Sequence, residues 1–333
     1  MKGVLRVAQN DKEGQKEYFM KIAINTSGVD YGDMDFAEFE KLGETVYFKN
    51  VPREELFEIA KDCDAIIVNK VIIDEEFLEK CPKIKYVGVF ATGYNVVDLA
   101  ACRARGVTVC NAPDYSTHAV CQHVFGLLLN FYGRIGEYNA SVAAGDWVKS
   151  DNFCYYLGTM REIYGKKFGV YGFGNIGKAV AKVAEAFGAE VFVCTRTISK
   201  NCPYKVVGFE EMFEKCDIIS LHCPLTETTA KMINRKTLAL MKPDAVLVNT
   251  ARGGLVDEAA LAEALDGGKL GGACLDVVDC EPMAADNPLL TAKNCLITPH
   301  VAWLARETRE RLFGIVAGNL RAFIEGKPRN VVD

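Results

Sequence analysis

The chain has 333 residues, 50% apolar and 25% charged, with a formal net charge of −5. That length predicts two domains rather than a single core, and the acidic balance excludes nucleic acid as a main partner. No apolar run approaches the roughly 18 residues of a membrane helix, and Met1-Lys2-Gly3-Val4 opens without a signal-peptide core, so a cytoplasmic protein with no membrane partner is expected.

The first hundred residues alternate short apolar runs with helical stretches. Strands are expected at Val4–Ala8, Thr45–Phe48, Ala65–Val68, Tyr86–Phe90 and Val107–Cys110, with helices at Glu54–Lys61 and Glu75–Lys80. Strand–helix alternation argues for a parallel sheet covered on both faces. Asn111-Ala112-Pro113-Asp114-Tyr115-Ser116 breaks the pattern as a loop and marks the first domain crossing. An apolar-periodic helix is expected from Thr117 to Ala144, with Ser116 or Thr117 as cap. The stretch Lys149–Gly165 carries four aromatics without a period and reads as an arm or interface loop.

The alternation restarts at Lys167, with six strands at Phe168–Tyr171, Glu190–Thr195, Ile218–Leu221, Ala245–Asn249, Gly272–Asp276 and Cys295–Thr298. The first runs into Gly172-Phe173-Gly174-Asn175-Ile176-Gly177, which fits the G-x-G-x-x-G dinucleotide fingerprint. Gly172 permits the turn, Gly174 lets backbone approach a pyrophosphate, and Gly177 lets helix and strand pack closely; the helix N-terminus at Asn175 and Ile176 faces the anion. The helical segment Arg306–Gly326 has no sheet left to join and is expected to return to the first domain. The expected architecture is α/β: two doubly wound parallel-sheet domains with a cleft between them. Residues 113–304 form a Rossmann cofactor domain, and residues 1–112 with 305–333 form a discontinuous, flavodoxin-like substrate domain.

Thirteen cysteines occur without any C-x-x-C, and Cys121 and His123 find no second ligand pair at a metal-like spacing. Reduced cysteines used as small apolar residues, and no metal, are expected.

Arg252, Glu281 and His300 each follow the end of an expected strand, the edge where open α/β sheets bind ligands. Singly they read as a surface charge, a loop acid and a capped loop histidine; together they suit a nicotinamide-dependent reduction. Imidazole titrates near pH ~6.5, so His300 can deliver a proton at neutral pH. Glu281 can hold its second ring nitrogen, and the Arg252 fork can grip a substrate carboxylate and polarise a ketone. His118 and His123, within the long helix, are assigned structural or cofactor-wall roles. Where an acid is expected for the ribose, about 20 residues past the glycines, the sequence reads Thr195-Arg196-Thr197. An arginine flanked by hydroxyls suits a 2′-phosphate, so NADP is favoured over NAD; stacking of Arg196 on adenine would suit either.

These stretches, with Ala91-Thr92-Gly93-Tyr94-Asn95-Val96-Val97-Asp98, Asn69-Lys70, His222-Cys223-Pro224-Leu225-Thr226, Thr298-Pro299-His300-Val301-Ala302-Trp303 and the Asn330-Val331-Val332 ending, resemble the D-isomer-specific 2-hydroxyacid dehydrogenases, most of all their glycerate/hydroxypyruvate reductase branch. The resemblance implies reversible reduction of a small 2-oxo acid (hydroxypyruvate, glyoxylate or pyruvate) to the D-2-hydroxy acid; the aromatic stretch from Trp147 to Tyr164 can bury against a twin, so a homodimer is expected. It implies the same three roles for Arg252, Glu281 and His300. It places the substrate carboxylate on Thr92 and Gly93, whose backbone N–H groups can form a nest, with Trp303 also at the substrate. It implies cofactor contacts at His222, Cys223, Pro224, Thr229, Thr250, Ala251 and Asp276, the last accepting from the nicotinamide carboxamide. Some relatives of the fold act as dinucleotide-sensing corepressors, and that binding function is the alternative expectation.

Overall fold

The computed structural model describes residues 20–197 and 202–332 and divides them into two units. The chain leaves the first unit after Ser116 and re-enters it at Leu304. The strand expected at Val4–Ala8 lies outside the described residues.

The first unit holds five strands: β1 (Met20–Asn25), β2 (Gly43–Phe48), β3 (Ala65–Val68), β4 (Tyr86–Val89) and β5 (Thr108–Cys110). All pair in parallel, in the order β2-β1-β3-β4-β5, which is the flavodoxin-like order. β1 was not among the expected strands, although it pairs on both sides and Ile22, Ala23 and Ile24 are fully buried. Helix Arg306–Ile324 packs in this unit, with the Phe313 ring 5.0 Å from Phe36 and 4.9 Å from Phe90. Arg309 fastens it, donating from both terminal nitrogens to the Asp33 carboxylate at 2.7 Å. The tail then runs back along β5: Val331 bridges Cys110 antiparallel, covering a sheet edge that would otherwise be open.

The second unit holds β6 (Lys167–Tyr171), β7 (Glu190–Cys194), β8 (Lys205–Val206), β9 (Ile218–Leu221), β10 (Val246–Asn249), β11 (Gly272–Leu275) and β12 (Cys295–Ile297). They lie parallel in the order β12-β11-β10-β9-β6-β7-β8. The sheet therefore has seven strands, not six. The additional β8 is a two-residue edge strand, too short to show an apolar run. The helix expected over Thr117–Ala144 is two, Thr117–Gly133 and Ile135–Ala143, broken at Arg134 with φ +51°. An apolar period continues across such a joint, so it gives no sign of one residue in a left-handed conformation. Because every strand is parallel, the turns after β6, β7, β9, β10, β11 and β12 emerge along one edge of the sheet. No helix among the described residues is long and apolar enough to cross a membrane.

Candidate active site

The glycine turn leaves β6 at Tyr171 and opens helix Asn175–Ala186. Gly172 has φ +95°, and a Cβ there would stand 2.7 Å from the His222 carbonyl. A Cβ on Gly177 would stand 2.1 Å from the Gly172 carbonyl oxygen, so helix and turn touch through bare backbone. Gly174 differs: a side chain there would meet nothing within 4 Å among the described residues. The N-cap residue of this helix is Gly174, which has no side chain to cap it, and its first turn has no acidic residue, so the positive end of the helix dipole favours an anion there. Close packing below and open space above make a cradle that fits a dinucleotide pyrophosphate.

Beyond β7, Thr195 is half-buried while Arg196 and Thr197 are exposed, so the arginine head is accessible and no carboxylate stands at the end of this strand. Beyond β9, His222 hydrogen-bonds Ser220 Oγ through Nε2 at 2.8 Å. Desolvation pushes its pKa down to about 3, keeping the ring neutral. Burial pushes the Cys223 thiol up to about 11, so it is no nucleophile. Thr229 Oγ1 donates to Pro224 O at 2.8 Å and accepts from Thr226 N at 2.8 Å, closing the loop around Pro224.

At the end of β10 the fully buried Asn249 shapes the next turn, accepting from Ala251 N at 3.0 Å and donating to Arg252 O at 2.8 Å. Thr250 Oγ1 is buried without a hydrogen-bond partner among the described residues. Arg252 is exposed, and its side chain donates to Ala251 O at 2.6 Å. A Cβ on Gly253 would stand 1.9 Å from Val278 C, so the Arg252 turn is pressed against the loop leading to Glu281.

His300 Nδ1 lies 2.6 Å from Glu281 Oε2, with 30% of the histidine and 26% of the glutamate side-chain surface exposed. With the carboxylate accepting from Nδ1–H, Nε2 is the ring nitrogen left for a substrate. His300 itself has φ +54°, a conformation rarely adopted by residues other than glycine. Its N–H donates to Asp276 O at 2.8 Å, and the Asp276 carboxylate accepts from Val301 N and Ala302 N at 2.9 Å each and from Thr298 Oγ1 at 2.6 Å. Burial alone would push the Asp276 carboxyl up, but hydrogen bonds from His123, Thr298, Ala302 and Val301 outweigh it and hold its pKa below the ordinary value. Asp276 is 1% exposed, and its carboxylate is held by the His300 loop and by His123. Trp303, partly exposed, ends that loop. His123 Nε2 completes the group, 2.8 Å from Thr298 Oγ1 and 3.3 Å from Asp276 Oδ1. Neither Thr298 nor the link from His123 was singled out from the sequence; the two residues are 175 positions apart.

In the first unit, Thr92 and Gly93 follow β4. Thr92 Oγ1 donates to Ala112 O at 2.9 Å, and Asn111 Nδ2 donates to Thr92 O at 2.8 Å. The hydroxyl proton is thereby committed, which leaves backbone N–H groups as the donors this turn can offer. No cluster of three or more metal-ligating side chains occurs among the described residues.

Residues 125–302 match the family model of the D-isomer specific 2-hydroxyacid dehydrogenase NAD-binding domain. The chain is 39% identical to a hydroxypyruvate reductase from Blautia hydrogenotrophica over 91% of its length and 96% of the relative's. It is 40% identical to a glycerate dehydrogenase from Methylorubrum extorquens over 90% and 98%. Among solved structures it is similar to the TT0316 protein of Thermus thermophilus, with a TM-score of 0.86 at 35% identity, covering 94% of this chain and 100% of that one.

Proposed function

Because the chain belongs to the D-isomer-specific 2-hydroxyacid dehydrogenase family, we propose that it reduces a small 2-oxo acid of the hydroxypyruvate or glyoxylate type to the D-2-hydroxy acid, with NADP(H) as the preferred cofactor. The observation that carries this reading is the 2.6 Å His300–Glu281 pair, with an accessible Arg252 on the turn whose Gly253 packs against the loop leading to Glu281. The second unit binds the cofactor along the Gly172–Gly177 turn, with His222, Cys223, Pro224, Thr229, Thr250 and Ala251 as its wall, and the backbone N–H groups of Thr92 and Gly93 are the proposed further donors to the substrate carboxylate. When bound, the nicotinamide supplies the hydride to the 2-oxo carbon. Arg252 pairs its guanidinium fork with the carboxylate and polarises the ketone. His300, as imidazolium, gives its Nε2 proton to the oxygen as the C=O bond becomes C–O–H; Glu281 stabilises the charged ring until then. Asp276 enters as a positioning residue for the His300 loop, beside the contact to the nicotinamide carboxamide that the family resemblance implies.

NADP is favoured on Arg196, whose exposed guanidinium stands where a ribose-binding acid would repel a 2′-phosphate. Thirteen free cysteines fit a reducing, cytoplasmic compartment. The exposed apolar residues between Trp147 and Tyr164 support a homodimer. The test is a panel of hydroxypyruvate, glyoxylate and pyruvate, each with NADPH and with NADH. Oxidation of NADPH by hydroxypyruvate or glyoxylate is expected. Cofactor binding without turnover on any of them would favour a dinucleotide-sensing role.

A further inference from the structure

We propose that His123 is a positioning residue for His300, acting through the Thr298 hydroxyl and Asp276. This rests on the reading of His300 as the proton donor.

A single-proton argument sets the direction of the bonds. Thr298 Oγ1 lies 2.6 Å from an Asp276 oxygen and 2.8 Å from His123 Nε2. An ionised carboxylate only accepts, so the one hydroxyl proton of Thr298 goes to Asp276. Thr298 must then accept from His123, which fixes the proton on His123 Nε2. The same N–H faces Asp276 Oδ1 at 3.3 Å, so one imidazole orients the hydroxyl and faces the carboxylate.

What that carboxylate holds is the unusual part of the site. Asp276 binds the N–H groups of Val301 and Ala302 through its side chain and that of His300 through its backbone oxygen. These three consecutive amides define the turn in which His300 takes φ +54°. A left-handed histidine persists only where its surroundings over-determine it. The surroundings here are the Asp276 carboxylate, kept ionised and oriented by Thr298 and His123. His123 sits on helix Thr117–Gly133, so this contact ties the loop after β12 to a long helix as well as to its own strand.

Removing the imidazole frees the Thr298 hydroxyl to turn and loosens the grip on the three amides. His123→Ala should lower kcat by roughly ten- to a hundredfold, the scale of an ångström-level misplacement at a reacting group. The dissociation constant for NADPH, read by fluorescence quenching, should stay within about twofold. His123→Gln, which returns an N–H donor near the Nε2 position, should recover a large part of the loss. The direct readout is the His300 ring Cε1–H cross-peak in the cofactor-free protein, assigned by its loss in His300→Ala. It should be single and sharp in the wild type, and broadened or doubled in His123→Ala and in Thr298→Val. If His123→Ala does not fold, the Gln and Thr298→Val variants carry the test. A folded His123→Ala with wild-type kcat and an unchanged cross-peak overturns the proposal. So does a loss of kcat with an unchanged cross-peak, because His123 would then act elsewhere. A disturbed cross-peak with undiminished kcat supports the positioning and overturns His300 as the donor, so the two ideas fail separately.

Discussion

The proposed reaction turns on His300, whose ring meets Glu281 through Nδ1 and whose backbone, at φ +54°, donates to Asp276 O. A histidine after Pro299, an acid at Glu281 and an arginine at Arg252 were legible because each closes an apolar run, and runs of that kind end on one edge of a parallel sheet. The left-handed turn and its hold by Asp276 were not legible, because the residues that enforce it are brought together from β11, the loop after β12 and a distant helix. His300→Ala is expected to lower turnover by roughly 100- to 10,000-fold, the usual worth of a general acid, while the dissociation constant for the cofactor stays nearly constant; retained turnover would remove His300 from the reaction. Arg196 tests a separate reading. Arg196→Ala should weaken NADPH by about 1.5–3 kcal/mol, the worth of a charge-assisted contact, and leave NADH kinetics almost unmoved. Equal losses with both cofactors would make Arg196 an adenine wall.

At the scale of elements, the glycine turn was readable because its constraint is local: Gly172, Gly174 and Gly177 lie within six residues, Gly172 answering a left-handed backbone and Gly177 the close approach of helix and turn. β1 was not readable. Its burial comes from pairing with β2 and β3, and a lysine within Met20-Lys21-Ile22 masks the apolar run that such a central strand usually shows. The return of the last helix was foreseen from the exhausted sheet, but the Arg309–Asp33 pair that fixes it joins residues 276 apart. Hydrogen bonding from Arg309 holds the Asp33 carboxyl down at about 2. A depressed folded-state value stabilises above the unfolded value of about 3.9 and is lost as pH falls through the folded one. Arg309→Met should therefore lower Tm by a constant amount from pH 7 to about 5, and the gap to wild type should narrow between pH ~4 and ~2. A gap that does not change over that acid range would show that Arg309 acts through its packing against Tyr31 rather than its charge.

For the whole molecule the open question is what covers the arm between Trp147 and Tyr164. Val148 and Phe153 are each 90% exposed and Tyr164 is 76% exposed, although the arm is ordered against its own helix. Trp147 Nε1 donates to Phe153 O at 3.1 Å, Tyr155 OH donates to Ser141 Oγ at 3.0 Å, and Leu157 N donates to Tyr138 OH at 3.0 Å. A segment held this firmly with its apolar side chains outward is preorganised for a partner, and aromatic side chains bury about 150–250 Å² apiece when covered. A second copy is the occupant that requires no other molecule, and a two-fold axis would give each arm the same reception on its twin. Light scattering after gel filtration should give about twice the 36.6 kDa chain mass. The double substitution Phe153→Asp with Tyr156→Asp should shift that mass to the monomer at micromolar concentration, since two carboxylates would have to be buried unpaired to keep the interface. A wild type that is monomeric, or a variant that stays dimeric, would leave the arm to a different partner.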